Sequence, residues 1–434
     1  MKFISPKTKV ALLIASIFTT GSAFAVDFHG YARTGTSTTA SGGAQYCYND
    51  PVDGAHYTGR LGDECDTYGE IGLGQDYDSA EGAKFYLDSM FSFKTVYQGN
   101  DYQSLTSPTD RDSRGDWALR QLNVTAKNVL KSAPDTTFWV GKRYYQRKDV
   151  HILDLYYLNN SGNGFGVEDI SAGPGKVSLA WIDGARKPAK GKSDAQGEPV
   201  IQTEKYDLRY QDLSLWPDAR LNLAFIYGKA DLTDIQDKVG ENKQTGSFYS
   251  AELPHKIGSA QNTFVLQYGQ DALANTAFNN SNGTEVDTYN QWSGDLKDAY
   301  RTIYFGSMSL TNNIDIAYSA LYASGKTISQ NAIETKPNRL SVVARPSYYW
   351  NGLTRTTLEL GYTKDQMSTD SQSSDLSKVI LAQELTPNIG LMARPSLRVY
   401  TGSFFGDVAE STRTAQQEGD KGEMRFGAQL EAWW

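Results

Sequence analysis

The sequence predicts an all-β protein, a transmembrane antiparallel β-barrel, from three observations. An N-terminal export signal precedes the body of the chain, polar and apolar residues alternate with a period of two, and no later stretch of 18 or more apolar residues could form a membrane-spanning helix. Hydrophobic residues make up 39% of the 434 residues. That fraction is low for a multilayered soluble protein and suits a barrel with a thin apolar skin around a wet interior.

Residues 1–25 have the pattern of a secretory signal peptide. Lysines precede an apolar run over residues 10–18, and small residues ending at Ala25 predict cleavage before Val26. The run is too short to cross the ~30 Å of a bilayer's hydrocarbon. Residues 26–434 contain no linker and no break in composition. We therefore predict a single barrel domain there.

The alternation is clearest in MRFGAQLEAWW, residues 424–434. One face carries the mainly apolar set Met424, Phe426, Ala428, Leu430, Ala432 and Trp434, and the other carries Arg425, Gly427, Gln429, Glu431 and Trp433. In a barrel the first set faces lipid and the second a water-filled lumen, with Trp434 in the aromatic girdle. A soluble edge strand also alternates, but it would leave a charged face with a tryptophan at an unprotected end.

The same pattern recurs about every 20 residues along the chain. It occurs in segments around Val26, Tyr68, Phe85, Leu122, Leu221, Ile314, Leu358 and Leu397. Turn signals at Pro134-Asp135, Asn351-Gly352 and Pro387-Asn388 are typical of tight periplasmic connections, and the polar stretches 185–204, 272–298 and 401–423 indicate long outer loops. A soluble β-sandwich or propeller alternates too, but it would not place charges opposite the apolar set on nearly every strand.

Charge and cysteine content narrow the partners. The formal net charge is −8, and an acidic chain argues against nucleic acid as a partner. Cys47 and Cys65 are the only two cysteines, and in an oxidising compartment a nearby pair is most simply a disulfide. A metal or redox site would need more ligands or a CxxC motif, so we expect neither a metal nor a cofactor.

The polar face of the predicted strands carries large rings beside charges. Parity directs toward the lumen the side chains of Tyr31, Tyr68, Trp433, Arg33, Glu70 and Glu431. Flat rings in a pore favour sugars, because pyranose C–H groups stack on aromatic faces while the hydroxyls bond to charged groups at the rim. The alternative is that each ring only fills volume in the barrel.

Residues 141–157, GKRYYQRKDVHILDLYY, mix charge and aromatic rings without clean alternation. Such a segment is expected to fold inward and narrow the channel, which would put Arg147, Asp149, Asp154 and Tyr156 in the path of a solute. An ordinary surface hairpin is the alternative.

Four motifs, in order along the chain, resemble the maltoporin family of bacterial outer-membrane sugar porins. They are VDFHGYAR at 26–33, RLGDECDTYGE at 60–70, the GKRYYQR and DVH elements within 141–151, and FGAQLEAWW at 426–434. The resemblance implies a homotrimer of barrels of about 18 strands, each with its own pore and a third loop folded inside. It also implies ion transport and facilitated diffusion of maltose and maltodextrins across the outer membrane, along an aromatic slide flanked by charges.

The resemblance assigns roles to single residues. Slide positions fall on Tyr31, Tyr68, Trp350 and Trp433, and Tyr102 stands where a loop tryptophan reaches in from a neighbouring subunit. The polar track and constriction fall on Arg33, Arg60, Glu70, Arg120, Arg147, Asp154 and Tyr156, with Asp149 added from the inward segment. Because Arg120 shares the parity of Leu122 and Val124, we expect it to precede the regular strand. Gln261 replaces a mid-slide phenylalanine, and the loop 401–423 is short and lacks the family's tryptophans, which puts a preference for long maltodextrins in question.

Other functions stay open at this point. A porin of the same fold selective for other sugars or glycosides, or a general diffusion porin, is the nearest alternative. An outer-membrane lipase or protease is disfavoured, because the four histidines (His29, His56, His151 and His255) show no spacing to Ser or Asp that suggests a nucleophile; we predict no enzyme. Outer-membrane lipid surrounds such a barrel, and a periplasmic sugar-binding protein and a phage are open partner classes.

Overall fold

The computed structural model describes most of the chain in twelve stretches. They are residues 26–42, 46–48, 54–95, 115–183, 187–188, 200–231, 234, 245–279, 296–328, 334–366, 373–415 and 424–434. The predicted signal peptide over 1–25 and Tyr102 lie outside the described residues, as do parts of the three predicted outer loops.

The described residues form one antiparallel sheet of twenty strands, two of which have only two residues each. The other 18 build the wall and are β1 (Asp27–Thr39), β2 (Tyr68–Asp78), β3 (Lys84–Thr95), β4 (Gly115–Lys127), β5 (Thr137–Arg143), β6 (Gly162–Ala172), β7 (Gly175–Asp183), β8 (Val200–Trp216), β9 (Ala219–Asp231), β10 (Thr245–Ile257), β11 (Ala260–Asp271), β12 (Leu296–Thr311), β13 (Ile314–Ile328), β14 (Asn338–Tyr349), β15 (Thr354–Gln366), β16 (Ser374–Leu385), β17 (Ser396–Phe405) and β18 (Arg425–Trp433). Each pairs with the next in the chain, and β1 also pairs with β18, from Tyr31 opposite Trp433 to Thr39 opposite Arg425. The sheet is therefore closed, and the predicted barrel of about 18 strands is confirmed.

Buried and exposed side chains alternate along the wall, with the chemistry of a soluble protein reversed. On β18 the side chains of Arg425, Gln429 and Glu431 are buried. Phe426 and Leu430 between them are exposed. The charged face is thus the inner one and the apolar face the outer one, as the alternation in residues 424–434 predicts. Among the described residues, no helix is long and apolar enough to cross a bilayer.

Two connecting segments contact inward-facing side chains of the wall. The first, residues 54–67, precedes β2; the second, residues 144–161, joins β5 to β6 and contains paired short strands at Lys148–Val150 and Leu155–Leu158. Backbone hydrogen bonds join the two segments. In one of them, the His56 amide donates to the carbonyl of Leu153 at 2.7 Å. Gly141–Arg143, at the start of the predicted inward segment, belong to β5 instead.

The apolar core lies between the 144–161 segment and one side of the wall. Leu153 and Leu155 are fully buried, and the wall contributes Phe248, Val265 and Ile303. Polar bonds fix the segment further: the carbonyl of Tyr157 accepts hydrogen bonds from Gln267 at 2.7 Å and Arg301 at 3.1 Å. The segment is thereby attached to the inner face of strands β9 to β14.

Arg120 lies inside β4, so the expectation that it precedes the regular strand is wrong. Met90 pairs with Gln121 and Phe91 with Leu119, which leaves Arg120 as the extra residue of a β-bulge. A bulge shifts the parity of the residues on either side of it. For this reason the alternation around Leu122 assigned Arg120 to the wrong face.

The predicted outer loops contain more regular structure than expected. Residues 200–204 belong to β8 and residues 296–298 to β12. Residues 401–405 end β17 and are followed by helix α1, Asp407–Ala415. Cys47 and Cys65 form the predicted disulfide, with the sulfur atoms 2.09 Å apart.

Candidate functional site

The inner face and the two inserted segments surround a cavity of about 1380 Å³. Three predicted slide residues line it, namely Tyr31, Tyr68 and Trp433. The predicted polar residues also line it: Arg33, Arg60, Glu70, Arg120, Arg147, Asp149, Asp154 and Tyr156. Residues separated by hundreds of positions in the sequence are thus brought together around one space.

Trp350 does not join them, and its assignment to the lumen is wrong. It follows β14 with the outward parity of Tyr348, and the two rings meet edge to face with centroids 4.7 Å apart. The Trp350 indole N–H donates a hydrogen bond to the Thr356 hydroxyl at 2.8 Å, and the side chain is 62% exposed. The alternation of β14 continues through its last residue, so the ring is left on the outer rim.

The three lumen rings stand on three adjacent strands. Tyr31 on β1 lies directly opposite Trp433 on β18, and the centroids of Tyr31 and Tyr68 are 6.1 Å apart. We call these three residues the ring row. It places three aromatic side chains on one wall of the cavity.

Trp433 is held from behind by a residue that the sequence did not indicate. The guanidinium of Arg394 lies 4.4 Å from the centre of the Trp433 ring and donates to Glu431 at 2.9 Å. The His151 ring meets Trp433 edge to face at 5.6 Å. The cation–π contact with Arg394 holds the Trp433 ring in one orientation.

Charged groups bracket Tyr31. Its hydroxyl donates to Glu431 at 3.0 Å and accepts from Arg60 at 2.8 Å. Arg33, two residues along the strand, forms ion pairs with Glu64 at 3.0 Å and with Asp154 at 3.1 Å. The 144–161 segment is therefore linked electrostatically to β1.

The charged groups around Tyr31 shift the pKa of two side chains in the 144–161 segment, Asp154 and His151. Burial raises the pKa of Asp154, but Arg60 and Arg33 outweigh that effect and hold the pKa well below its usual range. Burial, with Arg60 adding to it, lowers the pKa of His151 to about 3. Asp154 is therefore ionised and His151 neutral near neutral pH.

A second polar chain runs from β4 to Tyr68. Arg120 donates to the Tyr144 hydroxyl at 2.5 Å, and the hydroxyls of Tyr144 and Tyr68 both donate to Glu70, at 2.7 and 2.6 Å. The Arg147 guanidinium lies between two rings, 3.9 Å from the centre of Tyr144 and 4.3 Å from that of Tyr156. Such stacking fixes the cation while leaving its N–H edge available for hydrogen bonds.

The arrangement is the lining of one cavity. It offers flat apolar rings beside fixed hydrogen-bonding groups. Among the described residues, no group of three or more His, Cys, Asp or Glu side chains is arranged to hold a metal ion.

Residues 26–434 match the family described as LamB porin. The chain belongs to the LamB porin family. This LamB porin is 36% identical over 426 residues to the maltoporin of Hahella chejuensis, with 97% of this chain and 96% of that protein covered. It is 34% identical over 443 residues to the maltoporin of Photobacterium profundum, with 98% of each covered.

Among solved structures, the chain is similar to OccAB2 of Acinetobacter baumannii at 12% identity and a TM-score of 0.48, over 95% of this chain and 99% of that one. The family resemblance in the sequence is confirmed by the family match and the relatives. A porin is a channel rather than an enzyme, and family and barrel together support an outer-membrane location.

Several lining residues of this LamB porin were not identified from its sequence. They are Asp66, Arg355, Glu384, Arg394 and Arg398. Tyr144, which bonds to the lining residue Glu70, was not identified either. Asp66 could have been found, because it directly follows Cys65 in the motif at 60–70. Arg394 stands in a turn between β16 and β17, and no local pattern connects it to Trp433.

Proposed function

We propose that this porin passes maltose and maltodextrins across the outer membrane by facilitated diffusion along the ring row. The observation that carries the proposal is the ring row itself, three rings on adjacent strands beside Arg33, Arg60 and Glu70 in one cavity. The maltoporins to which the chain is similar support the choice of sugar.

The mechanism needs no covalent chemistry. The apolar face of a glucose unit stacks on a ring while its hydroxyls exchange water for the charged groups alongside. Each stack contributes on the order of 1 kcal/mol, so several weak sites in series guide the sugar without trapping it. A maltodextrin advances by moving each glucose unit to the next ring.

The 144–161 segment serves as the constriction in this proposal. Arg147, Asp149, Asp154 and Tyr156 would be met by every solute that enters. Stacking of Arg147 between two tyrosines and the ion pair of Asp154 with Arg33 keep these groups in place. Fixed donors and acceptors cost a passing sugar little reorganisation.

The outer surface supports a homotrimer in lipid. Strands β8 to β13 carry on their outer face Tyr206, Tyr227, Tyr249, Tyr268, Tyr300 and Tyr322, a girdle that suits a lipid headgroup region. From residue 30 onward the outer positions of β1 are instead small or hydroxylated, with Ala32, Thr34 and Thr36 in succession, which suits close contact with another copy. A contribution of Tyr102 to a neighbouring pore, a phage and a periplasmic sugar-binding protein stay predictions.

The test is block of ion current in planar bilayers. Addition of maltohexaose to the reconstituted porin should reduce the conductance in a saturable way, and sucrose and an aryl-glucoside should do so more weakly. Block by the other sugars alone would establish the alternative selectivity. If none of the three sugars blocks the current, the protein is a general diffusion porin and the proposal is rejected.

A further inference from the structure

The wall facing the inserted segment also carries an inward-facing ring that is only partly buried, Phe305. It lies on β12, where the inward residues are Ile303, Phe305 and Ser307, and it lines the same cavity as the ring row. We propose that Phe305 is a second, electrically neutral contact surface for the sugar. This inference rests on the function proposed above and adds a residue to it.

Phe305 is supported on one side and open on the other. Its ring packs on Tyr157 with centroids 5.8 Å apart, and Phe305 itself is only partly buried. Tyr157 is anchored at both ends, because its hydroxyl donates to Glu252 at 2.8 Å while its carbonyl accepts from Gln267 and Arg301. A rigid backing holds the phenyl ring at the cavity surface.

Within the sheet, the inward positions that adjoin Phe305 on β11, β12 and β13 are all uncharged. Thr263 and Ser319 lie directly opposite it on the neighbouring strands. The remaining inward neighbours on β11, β12 and β13 are Gln261, Val265, Ile303, Ser307, Ala317 and Leu321. By contrast, Tyr31 lies against Arg60 and Glu431.

This contrast defines what Phe305 can bind. A phenyl face with neutral hydroxyl and amide groups around it offers dispersion contact to sugar C–H groups and weak hydrogen bonds to sugar hydroxyls. It offers no attraction to an ion. Its contribution to sugar binding should therefore be independent of salt, unlike that of groups acting through charge.

The experiment measures the maltotriose concentration that half-blocks the channel in Phe305→Ala and Phe305→Leu. The leucine keeps apolar packing on Tyr157 and loses the flat face, so it separates stacking from structural support. Phe264→Ala is the matched control, because Phe264 lies on adjacent β11 with its side chain on the exposed outer face. Barrel assembly is checked for each variant by its resistance to heat in detergent electrophoresis.

We expect both Phe305 variants to need about three- to tenfold more maltotriose, by the same factor at low and high KCl, with Phe264→Ala unchanged. Wild-type block in Phe305→Leu, at either salt concentration, would overturn the inference and leave the proposed function standing. Failure of the wild-type porin to be blocked would overturn both.

Discussion

Replacing Tyr68 by alanine tests the ring row most directly. The ring lies 6.1 Å from Tyr31, its hydroxyl donates to Glu70 at 2.6 Å, and the Arg33 guanidinium lies 5.6 Å from its centre. The variant removes one stacking surface. Its neighbours retain other partners, because Tyr144 still donates to Glu70 and Arg33 keeps its ion pairs with Glu64 and Asp154.

The size of the expected effect follows because the substitution removes one stacking surface only. Loss of one aromatic stack costs about 0.5–1.5 kcal/mol of sugar binding, which raises the half-blocking maltohexaose concentration by roughly 2- to 12-fold. Ion conductance should stay constant or rise slightly, because a bulky side chain leaves the cavity lining while no charge is lost. Tyr68→Phe keeps the ring and loses only the bond to Glu70, so its sugar block should stay close to that of the wild type.

The assay is titration of single-channel block with maltohexaose, recorded together with the open-channel conductance. Tyr206→Ala is the control, because Tyr206 is an outer-face tyrosine whose hydroxyl also bonds to a carboxylate, that of Glu204, at 2.8 Å. Equal losses of sugar block and conductance in Tyr68→Ala would mean that the ring is a packing element, and the reasoning would be refuted.

Three further predictions concern the supports of the site. Arg394→Gln should weaken maltohexaose block by about threefold, because Trp433 loses the cation packed on its ring; unchanged block would show that this contact does not orient the ring. The double variant Cys47→Ser with Cys65→Ser should lower the free energy of unfolding by about 3 kcal/mol, because the disulfide closes a loop with a sequence separation of 18 residues. The measurement is the midpoint temperature of heat dissociation, which should fall; an unchanged midpoint would contradict the prediction. Because the pKa of His151 is lowered to about 3, it stays neutral from about pH 5 to 8, so the pH profiles of conductance and sugar block should be flat in that range, and equally flat in His151→Gln. Below about pH 6.5, the ordinary pKa of a histidine, the unfolded chain binds a proton that the folded protein does not, so the contribution of His151 to stability should fall as the pH drops toward 3.

The barrel was predictable from sequence because its determinant is local. Side-chain parity is a property of one strand, and burial of Glu431 next to exposed Leu430 follows from it. Parity fails where the backbone is irregular. The bulge at Arg120 reverses it within β4. Trp350 is a different case, because the alternation of β14 carries its ring outward and the lumen position came only from the family resemblance.

The rest of the site depends on contacts between distant segments. Tyr144 connects Arg120 to Glu70 only because the 144–161 segment returns to the wall, and Arg394 reaches Trp433 from another turn. Phe305 follows the regular alternation of β12 and faces inward. It lies at the cavity surface because the inserted segment covers the wall only up to that point. No pattern within β12 encodes that position.

The seam between β1 and β18 has a consequence for assembly. It joins residues such as Tyr31 and Glu431 that are 400 positions apart, and closing so long a loop costs roughly 2–3 kcal/mol more entropy than closing a 20-residue hairpin. Until the last hydrogen bonds form, both strands present unsatisfied backbone groups that can capture a strand of another polypeptide. Sealing β1 to β18 is therefore the step that removes both exposed edges from the folding chain.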